Sequence, residues 1–302
     1  MGRPYPVAAS SAIELALVGP TRSAWVIATT THATYLEIAD TDRTMLCLAS
    51  AGAVRVPCAL VLGGRTMPPQ EPVGTPARVG GNHLTVHGAS PISFHVRRWW
   101  RPPAPTGLGK VPPARLTAAV RWLTGLVADP LDEGGRDAVV ELVESVTARG
   151  LPDPAVARLL GRGPGLTPTG DDVLAGVLVT LRALGSPAAG SIARAVLAGT
   201  PGATTPVSAG LLRHAVEGRC IPQLADVLTA LGATAVGDPA SPADSGSGAL
   251  PRAVGALLAV GHTSGAGLLH GVKVAVAIAH SRPARLARPS IAVPARPTAV
   301  PA

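Results

Sequence analysis

The pattern of apolar and polar positions changes character near residue 100. Before it, short runs rich in β-branched and apolar residues alternate with turn residues such as Asp40 and Gly63-Gly64. Runs of this kind indicate strands, here at residues 25–30, 34–38, 44–48, 56–62, 82–86 and 92–96. Regularly spaced short strands with close turns predict a small barrel or sandwich.

From residue 114 the apolar positions follow a helical period. Leu116, Val120, Leu123 and Val127 recur at the spacing of one helix face. Further helices are predicted at residues 138–148, 154–160, 170–184, 191–198, 206–217, 222–231, 250–260 and 266–280.

The predicted fold class is therefore α+β. A β-rich N-terminal domain occupies residues 1–100, a Pro/Gly-rich linker 101–113, and a mainly α-helical C-terminal domain 114–281. A Gly/Pro/Ser/Asp loop is predicted at 237–248. Residues 282–302 are rich in Pro, Ala and Arg without apolar periodicity, which predicts a disordered tail.

Residues 161–172 form a glycine- and proline-rich loop that opens into an apolar helix. Gly163 and Gly165 allow backbone angles closed to other residues and permit close approach of a ligand. Thr169 is expected to be the N-cap, with Asp172 completing a Thr-x-x-Asp capping pattern. The segment is thus either a shaped binding loop or only the start of a well-capped core helix.

Asp171 and Asp172 are the candidate catalytic residues of this loop. No Gly-Lys-Ser/Thr follows the glycines, so the loop is not a P-loop. Two carboxylates would repel a bare phosphate, and Arg162 or a bound Mg²⁺ would have to offset them. Alternatively, both carboxylates accept hydrogen bonds from an amide or amine of the substrate. They are also the candidate metal ligands.

An internal echo links this helix to the last one. Residues 169–177 and 264–272 both read hydroxyl, Gly, two variable positions, two apolar residues, one variable position, Gly, Val. We expect two equivalent helices that cross closely at Gly176 and Gly271 and aim their N-termini at one cleft. Chance similarity in an Ala/Gly/Leu-rich chain is the alternative explanation.

A third hydroxyl-rich helix start lies at 204–208, where Thr205 is a natural N-cap before Pro206. Converging helix starts offer free N–H donors and suit a small, anionic, oxygen-rich ligand. His262 is either a proton donor or ligand clamp, or a ring with only a local hydrogen bond. The candidate substrate- and phosphate-binding residues are Arg162, Gly163, Gly165, Thr167, Thr169, Gly170, Thr205, Ser208, Thr263, Ser264 and Gly265.

Composition and the distribution of charged residues argue against several classes of protein. The formal charge of +8 owes four arginines to the predicted tail, and the body lacks a basic stripe with interleaved aromatics, so we expect no nucleic-acid partner. We also expect no membrane span, because charged residues, histidines and glycines interrupt the apolar runs. Three cysteines without CxxC spacing fit a reducing cytoplasm.

Two smaller features of the N-terminal region have alternative interpretations. His83, His87 and His95 are interpreted as surface or turn histidines rather than metal ligands, because no carboxylate or cysteine joins them at useful spacing. The Trp99-Trp100 pair at a strand end is interpreted as a plug at the domain edge, with an interface patch as the alternative.

Three motifs resemble those of the AllH family, which is associated with one subunit of bacterial oxamate carbamoyltransferase. Gly-Arg-Gly-Pro-Gly-Leu-Thr-Pro-Thr-Gly-Asp-Asp-Val-Leu-Ala-Gly, at 161–176, resembles the family signature. Thr-Thr-Pro-Val-Ser-Ala at 204–209 and Gly-His-Thr-Ser-Gly-Ala-Gly-Leu-Leu-His-Gly at 261–271 resemble its later motifs. The likeness covers most of residues 10–280 and is loose at the N-terminal end.

This resemblance implies the reaction oxalurate + phosphate ⇌ oxamate + carbamoyl phosphate, in purine and allantoin degradation, with other carbamoyltransferase subunits as partners. The family pattern has an aspartate where this chain has Gly267, which removes a carboxylate from the second helix start. That departure favours the alternative function, a non-catalytic subunit or a stand-alone protein that binds a small anion or metabolite. A nucleophilic enzyme is not expected, because neither Ser208 nor Ser264 lies in a Gly-x-Ser-x-Gly elbow.

Overall fold

A computed structural model describes residues 3–40, 42–148, 150–233 and 248–281 of the 302-residue chain. The predicted tail 282–302 and nearly all of the predicted loop 237–248 lie outside the described residues.

The N-terminal region is a closed eight-stranded β-barrel, which confirms the predicted β-rich start and decides for barrel over sandwich. The strand order is β1-β5-β4-β3-β2-β6-β7-β8, and β8 closes the barrel by pairing parallel with β1. The β4–β5 pair is also parallel, and the other pairs are antiparallel. The strands are β1 (Tyr5–Ser10), β2 (Arg22–Thr30), β3 (Ala33–Ile38), β4 (Met45–Ala49), β5 (Ala59–Leu62), β6 (Pro76–Gly80), β7 (His83–His87) and β8 (Pro91–Trp100).

Two strands and a short helix in the barrel were missed by the sequence pattern. Strand β6 has Pro76 at its start, Arg78 at its centre and Gly80 at its end, so it lacks the β-branched run that signals a strand. Strand β1 and the helix α1 (Glu14–Val18), which follows a 3-10 turn at Ser11–Ile13, are each only five or six residues long.

The helical region contains the predicted helices, with ends shifted by a few residues. They are α2 (Pro113–Leu126), α3 (Glu133–Thr147), α4 (Asp153–Leu159), α5 (Thr169–Leu184), α6 (Ala188–Gly199), α7 (Pro206–Val216), α8 (Pro222–Ala233), α9 (Ala249–Leu258) and α10 (Ser264–His280). Helix α3 begins before its predicted start because the Asp132 side chain accepts a hydrogen bond from the Gly135 N–H at 3.0 Å and caps it.

The predicted N-cap of α5 is wrong, whereas that of α7 is confirmed. Pro168 occupies the cap position of α5, and its carbonyl accepts from the N–H groups of Asp171 and Asp172 at 3.0 and 3.1 Å. Thr169 is therefore the first helical residue, and its side chain makes no cap. At α7, Thr205 Oγ1 accepts from the Ser208 N–H at 3.0 Å, and Pro206 is the first residue of the helix.

The segment between barrel and helices packs against the helical region. Leu108 is buried, Gly109 lies against the carbonyl of Leu184, and the Pro103 carbonyl accepts from the Cys220 N–H at 2.9 Å. On the barrel side, Gly210 of α7 packs against the side chain of Met45. The connecting segment is thus fixed to the helical region, which also contacts the barrel directly at Gly210.

The cysteines, histidines and tryptophans singled out in the sequence differ in how far they are buried. The three cysteines are buried and unpaired. His83 and His87 are exposed at the barrel surface, and His95 is half-buried. Trp99 is exposed and Trp100 half-buried.

Within these described ranges, no helix is both long enough and apolar enough to cross a membrane.

Candidate functional site

Helices α5 and α10 cross at the two glycines singled out by the internal echo. A Cβ atom on Gly271 would lie 2.8 Å from the Cα atom of Gly176 and 2.3 Å from the carbonyl oxygen of Val173. A Cβ atom on Gly176 would lie 2.3 Å from the carbonyl oxygen of Leu268. The hypothesis of a close crossing at this glycine pair is confirmed.

The same symmetry extends to the turns that precede the two helices. A Cβ atom on Gly170 would lie 2.1 Å from the carbonyl oxygen of Leu159, at the end of α4. A Cβ atom on Gly265 would lie 1.9 Å from the carbonyl oxygen of Leu257, near the end of α9. The hairpins α4–α5 and α9–α10 are therefore equivalent units, and both need glycine where the incoming helix touches the outgoing one.

The starts of α5 and α10 meet, as the echo predicted. Thr167 Oγ1 and Ser264 Oγ lie 2.8 Å apart, and Thr169 Oγ1 donates a long hydrogen bond of 3.5 Å to Thr263 Oγ1. These contacts bring the positive ends of the α5 and α10 helix dipoles close together. A carboxyl group near them is favourable in its ionised form.

The third helix start reaches the same cluster through Asp171. This side chain is 1% exposed; its Oδ1 accepts from the Gly161 N–H at 2.8 Å, and its Oδ2 accepts from the Thr204 hydroxyl. Burial raises the pKa of Asp171, and the hydroxyls of Ser208 and Thr204 and the Gly161 N–H oppose that rise. Asp171 thus ties the glycine loop to the start of α7, and its oxygens are already engaged.

Asp172 differs from its neighbour because one of its oxygens has no partner. The side chain is 7% exposed, and its buried Oδ2 makes no hydrogen bond. Burial raises the pKa of Asp172 from the ordinary 3.8 to about 8, with the charge of Asp171 adding to the rise and the hydroxyls of Ser264 and Thr167 opposing it. A buried polar atom without a partner is rare in native proteins, and Oδ2 is the carboxyl oxygen of this aspartate pair that is left in that state.

The backbone donors at the start of α5 are largely used within the protein. The Gly170 N–H donates to the carbonyl of Arg162 at 2.8 Å, and the N–H groups of Asp171 and Asp172 donate to Pro168. The expected supply of free N–H groups from this helix is therefore reduced. What this side of the cluster offers a ligand is mainly its hydroxyl and carboxyl groups.

Two predicted site residues form no side-chain hydrogen bond to Asp171 or Asp172 within the described residues. Arg162 forms a two-pronged ion pair with Asp132, with Nε–Oδ1 and Nη2–Oδ2 distances of 2.6 and 2.7 Å. His262 is exposed, and its ring makes no hydrogen bond within the described part of the chain. Sequence reasoning missed Asp132, although a cap residue before Glu133-Gly-Gly was a readable signal.

The two predicted loop glycines, Gly163 and Gly165, differ in how closely other atoms surround them. Gly163, at φ of 111°, packs against Thr169, where a Cβ atom would lie 2.9 Å from the Thr169 nitrogen. Gly165, at φ of 95°, faces open space. Residues 163–166 are exposed. The loop over Thr167 is therefore the side from which solvent reaches the cluster.

Gly267 stands directly beside Asp172. A Cβ atom on Gly267 would lie 2.8 Å from the Cβ atom of Asp172 and 3.2 Å from the carbonyl oxygen of Thr169. Gly267 is the echo equivalent of Asp172, so the repeat carries one carboxyl group where a symmetric pair would carry two.

In the described ranges no metal-ligand group involves this cluster, and two surface clefts lie away from it. No group of three or more His, Cys, Asp or Glu residues at metal-binding distance occurs in the described ranges. Clefts of about 800 and 1180 Å³ lie elsewhere, the first beside Pro152 and Ile278 and the second on the barrel beside Tyr5 and Arg97.

The closed barrel followed by a helical region defines an α+β protein, in which three hydroxyl-rich helix starts surround a buried pair of carboxyl groups. The model of the AllH family, described as oxamate carbamoyltransferase subunit AllH, matches residues 159–276. The match runs from the end of α4 into α10, confirms the resemblance carried by the three motifs, and relates the chain to a subunit of that enzyme. No curated protein and no solved structure shows a significant match.

Proposed function

We propose that this protein is the AllH-type subunit of a cytoplasmic carbamoyltransferase, acting with other subunits on oxalurate and phosphate to give oxamate and carbamoyl phosphate. We place its ligand site at the joined starts of α5 and α10. The observation that carries this proposal is the unpartnered Oδ2 of Asp172, buried beside the hydroxyls of Thr167 and Ser264.

A protonated Asp172 removes the difficulty of binding an anion next to two aspartates. With a pKa of about 8, this carboxyl group is mostly neutral at pH 7. Its O–H can then donate to the carbonyl oxygen of a ureido group, as a neutral carboxyl group does in an oxyanion hole. The positive ends of the α5 and α10 dipoles would also stabilise negative charge that develops on this carbonyl oxygen during the reaction.

Some of the remaining predicted residues contact the ligand in this proposal, and others only hold the loop in shape. Thr167 and Ser264 contact the ligand, whereas Asp171, Thr205 and Ser208 shape the loop through their hydrogen bonds. Arg162 is a candidate ligand contact only after it leaves Asp132. Mg²⁺ is the candidate cofactor of the ionised form alone, in which the free oxygen of Asp172 would be one metal ligand; the protonated form would bind the substrate without a metal.

The test is calorimetric and thermal-shift binding of phosphate, carbamoyl phosphate, oxamate and oxalurate to the full chain, with and without Mg²⁺. A ligand at about 100 times its Kd adds roughly 2.7 kcal/mol of stability. Thr167→Val combined with Ser264→Ala removes both hydroxyls with little change in volume and should weaken binding about tenfold or more.

The matched control is Thr85→Val combined with Ser93→Ala. These two residues form a similar hydroxyl pair, 3.0 Å apart, on strands β7 and β8 of the barrel. The control variant should bind as the wild type does. Equal loss in both variants, or undiminished binding by the Thr167/Ser264 variant, would place the ligand elsewhere.

The alternative function, a non-catalytic subunit or stand-alone metabolite-binding protein, is favoured by the exposed ring of His262 and the engaged oxygens of Asp171. Neither residue is arranged to transfer a proton at the cluster. Ligand binding without formation of carbamoyl phosphate, even with the other subunits present, would decide for this alternative.

A further inference from the structure

A basic groove of about 1180 Å³ runs along the outside of the barrel, beside β1, β7 and β8. Its lining contains four arginines and two histidines and no carboxylate: Arg3, Arg55, Arg97, Arg98, His83 and His95. These residues are far apart in the sequence, and barrel closure between β1 and β8 brings them together.

A β-bulge presents two consecutive arginines to this groove. In the β1–β8 pair, Val7 faces Val96 and Ala8 faces Arg98, so Arg97 is the extra residue on β8. Consecutive strand residues normally point to opposite faces, yet Arg97 and Arg98 are both exposed and both line the groove. Bulges re-aim side chains in this way near binding sites.

The positive charge of the groove is not neutralised within the described residues. Elsewhere in the barrel, Arg22 pairs with Asp40 and Arg43 with Glu37. The four groove arginines form no ion pair in the part of the chain that the structure describes. Like charges that line one groove repel one another unless salt screens them, so an anionic occupant would relieve a cost that the isolated protein bears.

The lining suits carboxylates of a protein better than a nucleic-acid strand. Arginine binds carboxylates through two parallel hydrogen bonds, and arginine and tyrosine are enriched at protein interfaces. Single-stranded nucleic acid needs aromatic faces on which bases stack. Of the phenyl, phenol and indole rings that serve best for this, the groove has Tyr5 alone, which packs on Phe94 with centroids 5.9 Å apart, and its two histidine rings already lie against each other at 4.6 Å.

We propose that this groove is the docking site for a carboxylate-rich segment of another protein. Its arginines would bind the acidic side chains, and the half-exposed ring of Tyr5 would supply the apolar contact at the edge. This proposal is independent of the ligand site at α5 and α10, and either can fail alone.

The experiment measures binding of a fluorescein-labelled oligoglutamate to the full chain by fluorescence anisotropy at low and physiological salt. Arg97→Ala combined with Arg98→Ala should weaken binding about tenfold or more. Raising the salt concentration should weaken wild-type binding markedly, because exposed charge pairs are screened. Circular dichroism checks that the variant remains folded.

Arg78→Ala combined with Arg121→Ala is the matched control. Both are exposed arginines outside the groove, and the change removes the same net charge. Retained binding in this control and loss in the Arg97/Arg98 variant support the groove. Equal loss in both variants would reduce the effect to net charge and overturn the proposal, as would an oligothymidylate that binds more tightly than the peptide.

Discussion

Gly176 on α5 and Gly271 on α10 lie so close that a Cβ atom on either would fall inside the backbone of the other helix, 2.3 Å from a carbonyl oxygen. This contact sets the separation of the two helices. It therefore determines whether Thr167, just before α5, and Ser264, at the start of α10, come within hydrogen-bonding distance. Two glycines, each seven residues into its helix, therefore hold the candidate site together.

Gly271→Ala should destabilise the protein by about 3 kcal/mol, because overpacking against rigid backbone cannot be relieved by a rotamer change. Urea unfolding measures this cost. Gly255→Ala on α9 is the control, since a Cβ atom there meets open space. It should be neutral or stabilise by about 0.5–1 kcal/mol through helix propensity. An unchanged midpoint for Gly271→Ala would show that the helices do not cross this closely.

Asp171→Ala should cost about 2–4 kcal/mol, because it leaves the Gly161 N–H and the Thr204 hydroxyl without an acceptor in a buried place. Asp171→Asn retains one acceptor oxygen and should cost less. Urea denaturation ranks the two variants. The reverse order would mean that the charge of Asp171, rather than its hydrogen bonds, matters for stability.

Asp172 should make stability fall as pH rises. Its pKa is raised when folded, from 3.8 to about 8. Below pH 4 both states hold the proton, and between pH 4 and 8 only the folded state does. The free energy of unfolding therefore decreases through this window by up to about 1.4 kcal/mol per pH unit from this group.

Asp172→Asn should flatten that part of the profile, because an amide does not titrate. The comparison uses denaturant unfolding at several pH values between 5 and 8, so that the contributions of groups distant from Asp172 cancel in the difference between variant and wild type. Parallel profiles would contradict a raised pKa for Asp172.

Gly267→Asp restores the carboxylate of the family pattern and tests whether this chain has adapted to its absence. The new side chain would meet Asp172 Cβ at 2.8 Å, so we expect a loss of about 1–3 kcal/mol from crowding. The loss should grow with pH, because two adjacent carboxylates repel. Gly267→Ala separates the effects, since it adds the Cβ atom without charge and should give a loss independent of pH.

Local patterns in the sequence were sufficient for the two-part fold, most strand and helix positions, and the cap of α7 at Thr205, because these depend on the period of apolar positions and on short-range capping. The glycine pair Gly176/Gly271 was also readable, because a repeated small residue in two similar helices has few uses other than close packing. Strand β6 was not readable, because tertiary pairing with β2 and β7 outweighs its poor local propensity.

Only the tertiary structure separated the two aspartates. In the sequence they are adjacent and chemically identical, yet one has its oxygens bonded to the Gly161 N–H and the Thr204 hydroxyl, and the other has a buried oxygen without a partner. Likewise, no local signal showed that Arg162 would pair with Asp132 or that Arg3 and Arg98 would share one groove. Burial, hydrogen-bond partners and charge neighbours all come from residues distant in the chain, so they exist only once the chain has folded.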